Sequence, residues 1–230
     1  MFCSCDNAGE FQPPNTTICP ICTGQPGTLP VANEEAINWT ILIGSALNCQ
    51  IADYSKFDRK NYFYPDLPKG YQISQYDLPI AQNGWLEIDG SKIAITRIHL
   101  EEDTGKLLHP TSAKYSLVDY NRAGTPLVEL VTEPVIKSAG EAKKFCQEYQ
   151  KILRHLGVSD ADMEKGQMRC EANVSLQEQD KWRYENGEIK ALGDYKLNPK
   201  IELKNINSFR SVERAIKYEI ERQKEVLAKS

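Results

Sequence analysis

Apolar residues recur with helical spacing in three segments of the chain. One predicted helix begins at the capping box Ser138-Ala139-Gly140-Glu141 and ends before Gly157. Another runs from about Phe209 to Leu227, and its predicted buried residues are Val212, Ala215, Ile216, Ile220 and Leu227. A third begins at Asn33, a favourable N-cap, and runs to about Leu47.

Alternation of polar and apolar residues predicts strands between these helices. The predicted strands are Lys92–Glu101, Tyr115–Tyr120, Leu127–Thr132, Met168–Leu176 and Lys200–Lys204. In the first of them, Arg97, His99 and Glu101 share one face. One-sided strands mixed with helices predict an α+β fold, in which an antiparallel or mixed sheet carries helices on one face.

Composition and charge restrict the class of protein. The chain has 230 residues, 40% of them hydrophobic, and a net charge of -4, which is typical of a globular protein rather than a disordered one. No apolar stretch approaches the roughly 20 residues of a membrane helix, and no secretory signal opens the chain, so we expect a cytoplasmic protein without membrane contact. The acidic balance predicts that any contact with nucleic acid is local, weak or made elsewhere.

Four of the seven cysteines lie in the first thirty residues, which are rich in proline and turn-forming residues. Cys3 and Cys5 form one close pair, and Cys19 and Cys22 form another. This arrangement is typical of a structural zinc site with four thiolates, and it is favoured here over two disulfides or four unrelated thiols. We therefore expect residues 1–30 to form a zinc-binding knob.

A histidine and three acids follow one another at the end of the strand predicted at Lys92–Glu101. The sequence His99-Leu100-Glu101-Glu102-Asp103, followed by Gly105-Lys106, could hold Mg²⁺ through carboxylate oxygens and bring a cation to a phosphate. A charged strand end that enters a solvated turn explains the same residues. Spacing alone leaves both interpretations open.

Polar faces of the last two predicted strands suggest a second group. Arg169, Glu171 and Asn173 would lie beside Glu202 and Lys204 if the two strands are neighbours. The alternative is a solvated face held by cross-strand ion pairs.

Cations and aromatic side chains are interleaved in the segment 56–66. They could stack on a base and neutralise phosphate, or they could form a packed aromatic loop.

Long strings of residues across nearly the whole chain resemble one family, GatB, the B subunit of the aspartyl/glutamyl-tRNA(Asn/Gln) amidotransferase. Besides the four cysteines and their proline-rich frame, the strings are Lys56-Phe-Asp-Arg-Lys-Asn-Tyr-Phe-Tyr-Pro-Asp66, Gly70-Tyr-Gln-Ile-Ser-Gln75, Ile95-Thr-Arg-Ile-His-Leu-Glu-Glu-Asp103, Asn121-Arg-Ala-Gly-Thr-Pro126, Met168-Arg-Cys-Glu-Ala-Asn173 and Glu202-Leu-Lys-Asn-Ile-Asn-Ser-Phe209.

The resemblance implies an ATP- and Mg²⁺-dependent activity. Members of this family phosphorylate the side-chain carboxylate of glutamate or aspartate mischarged on tRNA, and ammonia then displaces the phosphate. The amidase (GatA) supplies the ammonia, and the small GatC protein completes a heterotrimer. Whether the substrate is Glu-tRNA(Gln), Asp-tRNA(Asn) or both stays open. The implied fold is a cradle like that of glutamine synthetase, which would comprise the zinc knob at 1–30 and the remainder at 31–230.

The resemblance also implies roles for individual residues. Glu102 and Glu202 match the positions expected to hold Mg²⁺, with Glu101 and His99 close enough to assist. The resemblance further implies that Lys204, Arg169 and Asn173 contact phosphate or substrate. Zinc is expected on Cys3, Cys5, Cys19 and Cys22.

The chain departs from the family pattern at three places. A Gly-Leu-Glu-x-His string normally precedes the cysteines, and helical and tail domains normally follow, so partial or absent activity is expected. The segment from Gln177 to Pro199 is longer than the usual connection, and its Asn186-Gly187 pair predicts a hairpin. The competing hypothesis is an inactive, zinc-stabilised scaffold for assembly or RNA binding.

Overall fold

A computed structural model describes residues 1–7, 12–185 and 187–229. Three helices lie in this part of the chain: α1 (Glu34–Ala46), α2 (Ala139–His155) and α3 (Phe209–Leu227). The strands are β1 (Gln50–Ile51), β2 (Asp58–Asn61), β3 (Tyr71–Ser74), β4 (Ala81–Ile88), β5 (Ser91–Glu102), β6 (Lys106–Leu108), β7 (Leu117–Asp119), β8 (Pro126–Thr132), β9 (Cys170–Val174), β10 (Trp182–Glu185), β11 (Glu188–Ala191) and β12 (Ile201–Ile206). The fold is therefore α+β with small antiparallel sheets, as the polarity pattern predicts.

The three predicted helices are confirmed together with their caps. The Asn33 side chain accepts a hydrogen bond from the Ala36 N–H at the start of α1, and the Ser138 side chain accepts one from the Glu141 N–H at the start of α2. After the last turn of α2, Gly157 takes a φ of 70°, a left-handed conformation that ends a helix at little cost to glycine.

The chain divides into two compact units. The first comprises Met1–Gly84 and Arg97–Val131, and the second comprises Trp85–Thr96 and Thr132–Ser230. The largest sheet has the strand order β1-β4-β5-β8, and both β4 and β5 pass from one unit into the other along the chain.

Strand β5 runs antiparallel to β8, and this pairing brings part of the candidate site together. In the first unit, the Asp103 N–H donates to the Thr125 carbonyl at 2.8 Å, and the Gly124 N–H donates to the Asp103 carbonyl at 2.9 Å. In an antiparallel ladder that starts from these bonds, Glu129 lies beside His99. The regular strand continues through Glu102, so the side chains of Glu101 and Glu102 point to opposite faces.

The apolar core of the second unit lies between α3 and the two-stranded sheet of β9 and β12. Buried members of this core are Ala139, Met163, Val174, Ile206, Val212 and Ile216. The prediction for the buried side of α3 was wrong at one position, because Leu227 is 40% exposed. Glu219 and Gln223 are buried instead, and the Gln223 side chain donates to the Val174 carbonyl at 3.0 Å and accepts from the Leu176 N–H at 2.9 Å. Burial is possible for this polar residue because its amide satisfies backbone groups next to the end of β9.

The segment between β9 and β12 forms the predicted hairpin. Strands β10 and β11 pair in antiparallel fashion from Trp182 opposite Ala191 to Glu185 opposite Glu188. Asn186, part of the predicted turn, lies outside the described residues. Burial of the phenol and the hydrogen bond that it donates to Glu133 raise the pKa of Tyr184 to about 12.

Among the described residues, we find no helix with the combination of length and apolar character that crossing a bilayer requires.

Candidate functional site

The four N-terminal cysteines converge in the first unit. Their sulfur atoms all lie within 4.8 Å of one another. Cys22 is central, since its sulfur is 3.4 Å from that of Cys3, 3.6 Å from that of Cys19 and 3.8 Å from that of Cys5. A tetrahedral zinc ion with bonds of about 2.3 Å to sulfur requires sulfur–sulfur distances of about 3.8 Å. Both the donor set and its spacing therefore fit zinc.

A turn after Cys19 arranges the second cysteine pair. The Thr23 N–H donates to the Cys19 carbonyl at 3.2 Å, and the Gly24 N–H donates to the Ile21 carbonyl at 3.1 Å. Burial opposes ionisation of the Cys19 thiol, but hydrogen bonds from the backbone N–H and the thiol of Cys22 outweigh it and lower the pKa of Cys19 to about 7. The turn thus favours one thiolate near neutral pH, which is the form that binds metal.

A second group of possible metal ligands lies where β5 meets β8. The ligand atoms of His99, Glu101 and Glu129 lie within 4.8 Å of one another. The His99 Nε2 atom is 3.7 Å from a carboxylate oxygen of Glu101 and 3.7 Å from one of Glu129. The side chains of His99 and Glu101 are only 3% and 8% exposed, whereas that of Glu129 is 47% exposed. We call these three residues the β5–β8 cluster.

Hydrogen bonding leaves the β5–β8 cluster incompletely satisfied. Ser74 donates to Glu101 at 3.0 Å. In the described part of the chain, neither Glu101 nor Glu129 has a lysine or arginine within ion-pair distance, and the buried His99 Nδ1 atom has no hydrogen-bond partner. Two carboxylates beside an imidazole, open on the Glu129 side, form a donor set that a hard divalent cation can use.

Tyr62 is affected by Glu101 of the cluster and by two further acids. Burial, and after it the negative charges of Asp66, Glu101 and Asp103, raise the pKa of Tyr62. The Asp66 Oδ1 atom is buried and has no hydrogen-bond partner among the residues that the structure describes. The charges of these acids therefore act together on the Tyr62 phenol, although Asp103 is itself paired with Arg122.

Glu102 lies on the other face of β5 and forms an ion pair with Lys69. Both of its carboxylate oxygens accept from Lys69 Nζ at 2.5 Å, and one also accepts from the Ile73 N–H at 3.2 Å. The side chains of Lys69 and Glu102 are 12% and 6% exposed, which makes this a buried ion pair. Glu102 is outside the β5–β8 cluster.

The second unit has a polar face on β9 and β12. These strands are neighbours, with Glu202 opposite Asn173 and Leu203 opposite Ala172. Glu171, Asn173, Glu202 and Lys204 are all exposed on this face, and Arg169 precedes β9 and is exposed as well. Leu203 and Ala172 pack on the opposite face. The sequence therefore correctly predicted which face of each strand is polar, and the structure shows that the two strands are neighbours, which the sequence had left open.

Lys204 lies between the two acids of this face. Its Nζ atom is 3.4 Å from a carboxylate oxygen of Glu202 and 3.7 Å from one of Glu171. The charge of Glu171, followed by the hydrogen bond and the charge of Glu202, raises the pKa of Lys204. Glu202 belongs to the second unit and Glu102 to the first, so their joint coordination of one Mg²⁺ stays a prediction.

The aromatic segment 56–66 is largely exposed. Phe63 is 94% exposed and Tyr64 is 57% exposed. Lys56 pairs with Asp58 at 3.1 Å and with Asp77 at 3.0 Å, so its charge is locally neutralised. The exposed rings show that this segment is not a fully packed aromatic loop.

Sequence reasoning did not identify Glu129. The residue interrupts the otherwise apolar strand Pro126–Thr132, and a lone acid in an apolar strand is the signal that could have been noticed. Its nearness to His99 depends on the pairing of β5 with β8, which no local pattern specifies.

Comparison with known proteins shows that the chain matches one protein family and is similar in sequence to longer proteins. The family described as "GatB/GatE catalytic domain" matches residues 1–230. A Thermotoga maritima protein, named as the B subunit of aspartyl/glutamyl-tRNA(Asn/Gln) amidotransferase, is 56% identical over 230 residues, covering 96% of this chain and 45% of that protein. Proteins of the same name from Trichodesmium erythraeum and Nostoc punctiforme are 54% and 52% identical, covering 93% and 91% of this chain and 44% and 43% of their own lengths. The chain thus spans less than half the length of these curated relatives.

Proposed function

Because this chain belongs to the GatB/GatE catalytic domain family, we propose that it acts in a tRNA-dependent amidotransferase as the part that activates a carboxylate. Its substrate is a glutamate or aspartate side chain esterified to tRNA. A carboxylate oxygen attacks the terminal phosphorus of ATP, the bond from that phosphorus to ADP breaks, and an acyl phosphate forms. Ammonia then attacks the carbonyl carbon, the carbon–oxygen bond to phosphate breaks, and the amide and inorganic phosphate result.

The β5–β8 cluster is the single observation that carries this proposal. His99, Glu101 and Glu129 would hold Mg²⁺, which when bound neutralises charge on phosphate oxygens. Burial of Glu101 keeps water away from its carboxylate, so the attraction between this carboxylate and a bound cation would be only weakly screened. In the described part of the chain, no lysine or arginine lies within ion-pair distance of the two acids, and this favours a cation-binding role over a structural ion pair.

The other predicted site residues keep their proposed roles. Arg169, Asn173 and Lys204 would contact phosphate or substrate from the polar face of β9 and β12, where their side chains are exposed. For Glu102 and Glu202 we keep the proposed role of Mg²⁺ ligands, which the resemblance to the family supports. For Glu102, this role would require the carboxylate to exchange Lys69 for the metal.

Zinc on the four cysteines would serve a structural role, because all four positions of a tetrahedral ion are occupied by thiolates. We also propose the cradle fold resembling glutamine synthetase, which the one-sided packing of β9 and β12 under α3 supports. The proposed partners are the amidase GatA, the small GatC protein, and Glu-tRNA(Gln) or Asp-tRNA(Asn), in the cytoplasm.

Magnesium-dependent nucleotide binding tests the proposal. In isothermal titration calorimetry, the chain should bind ATP with Mg²⁺ and lose that binding after Glu101→Gln, while Glu225→Gln on the outer face of α3 should bind as the unmodified chain does. Unchanged melting temperatures would show that both variants are folded. A chain that contains zinc but binds neither Mg²⁺ nor nucleotide would reject the proposal and favour the scaffold hypothesis.

A further inference from the structure

Arg97 lies beside the β5–β8 cluster with part of its hydrogen-bonding capacity unused. On β5, residues two apart point to the same face, so Arg97 shares a face with His99 and Glu101. Its Cα atom is about 6.5 Å from that of His99 by strand geometry. Both residues belong to the first unit. The long arginine side chain can therefore reach a ligand bound at the cluster.

One N–H group of the half-buried Arg97 guanidinium lacks a hydrogen-bond partner among the described residues. Its Nε atom is buried and has no hydrogen-bond partner in the described ranges. Its Cζ atom lies 5.8 Å from the centroid of the Tyr76 ring, and this cation–π contact supplies no oxygen acceptor for its N–H groups. A guanidinium has five N–H donors in a rigid fork, and leaving a buried donor unpaired costs free energy.

Another arginine of the same unit shows what a satisfied guanidinium looks like. Arg122 donates from Nε to the Thr104 carbonyl at 2.9 Å and from Nη2 to the Gly105 carbonyl at 2.9 Å, and its Nε lies 3.3 Å from a carboxylate oxygen of Asp103. Arg122 is thus committed to holding its own loop. Arg97 makes no such bond through its Nε among the described residues, and it lies on β5, the strand that carries His99 and Glu101.

We propose that Arg97 binds the terminal phosphate of the nucleotide, beside the cation that His99, Glu101 and Glu129 would hold. This inference rests on the proposed function. A planar guanidinium donates two parallel hydrogen bonds to a phosphate, and such charge-assisted pairs are among the strongest in proteins. The carboxylates would hold the cation, which is the first positive charge beside the phosphate. Arg97 supplies a second positive charge, and both stabilise the negative charge of the phosphoryl group during its transfer.

Comparison of two nucleotides isolates the terminal phosphate. Titration calorimetry of the zinc-loaded full chain with Mg²⁺ measures affinity for AMPPNP, a non-hydrolysable ATP analogue, and for ADP. We expect Arg97→Gln to weaken AMPPNP binding by about 10- to 100-fold and to change ADP binding by less than about twofold. Arg97→Lys keeps the charge but not the fork, so its loss for AMPPNP should be smaller.

Matched controls separate the proposal from misfolding and from failure of the proposed function. Arg183→Gln, at a 59% exposed side chain that pairs with Glu185 at 3.0 Å, should leave both affinities unchanged. If Arg97→Gln does not fold, Arg97→Lys alone decides, since a normal affinity for AMPPNP overturns the proposal. An equal loss for ADP and AMPPNP, or no loss for either, also overturns the assignment of Arg97. Absence of nucleotide binding by the unmodified chain would instead reject the proposed function, and the role of Arg97 with it.

Discussion

The two polar sites of this protein differ most in how far they are buried. In the first unit, the side chains of His99 and Glu101 are 3% and 8% exposed, whereas in the second unit those of Glu202 and Lys204 are 46% and 55% exposed. Burial of a charge costs several kcal/mol unless a partner compensates it, while an exposed ion pair contributes up to about 1 kcal/mol. The polar residues of the site in the first unit therefore depend on specific partners, and those of the site in the second unit depend mainly on water.

The strongest test of this difference is removal of zinc. We expect a chelator to reduce the free energy of unfolding of the first unit by more than about 5 kcal/mol, because four thiolates lose the ion that links them. Hydrogen exchange should accelerate in residues 12–30 and stay slow in α3, whose core is apolar. A chain with no bound zinc and an unchanged melting temperature would reject the thiolate site.

A single buried ion pair should have the next largest effect. Glu102→Gln removes the charge that compensates Lys69, and we expect it to lower the free energy of unfolding by about 3 kcal/mol. Glu202→Gln makes the same chemical change at an exposed pair and should cost less than about 0.5 kcal/mol. Urea denaturation of the two variants gives the comparison directly, and equal losses would show that burial does not separate the sites.

The exposed face should affect ligand binding more than stability. Lys204→Gln is expected to leave the melting temperature unchanged and to weaken Mg²⁺-dependent ATP binding about tenfold, since it removes one charge-assisted contact with phosphate. Lys217→Gln, at an exposed lysine of α3 that pairs with Glu213, is the matched control. If the Lys204 variant binds the nucleotide normally, Lys204 does not contact phosphate, and the face is explained by its ion pairs.

The smallest effect should appear only in acid. Hydrogen bonds from Lys143 and then Lys217 lower the pKa of Glu213 from 4.5 to about 2. A carboxyl group with a lowered folded-state pKa stabilises the fold above pH 4.5 and loses that contribution as the pH falls towards 2. Glu213→Gln should therefore melt below the unmodified chain at neutral pH, and the difference should vanish near pH 2. Glu221→Gln, whose partner Lys224 is exposed, should show a smaller difference. A gap between the two melting curves that persists at pH 2 would contradict the assignment.

Local patterns predicted much of the second unit correctly. The capping box at Ser138 and the apolar spacing after Phe209 fix the bounds of α2 and α3, because helix caps and helix periodicity act within a few residues. The alternation in β9 and β12 predicted their packed and polar faces for the same reason. Leu227 was predicted wrongly, since spacing does not reveal where the neighbouring sheet ends.

In the first unit, local patterns could not predict the contacts that form the site. The pairing of His99 with Glu129 and of Lys69 with Glu102 joins residues about thirty positions apart, and both depend on which strands and loops meet. Alternation places Glu101 and Glu102 on opposite faces, but the resemblance to the family favoured a strand end or a bulge before these acids, and the regular strand through Glu102 shows that this expectation was wrong. Alternation could not show that one of these acids meets a histidine and the other a lysine.

By itself, the sequence determined the helices, the packed and polar faces of β9 and β12, the cysteine set and, through its long strings, the family. Only the tertiary structure decided which charges share a space, because cross-strand register and loop closure depend on the whole chain. It brought Glu129 to His99, enclosed Glu102 with Lys69, and left the Arg97 Nε buried without a partner in the described residues. These arrangements carry the proposed chemistry, since the energy of a charge depends on its neighbours and its distance from water.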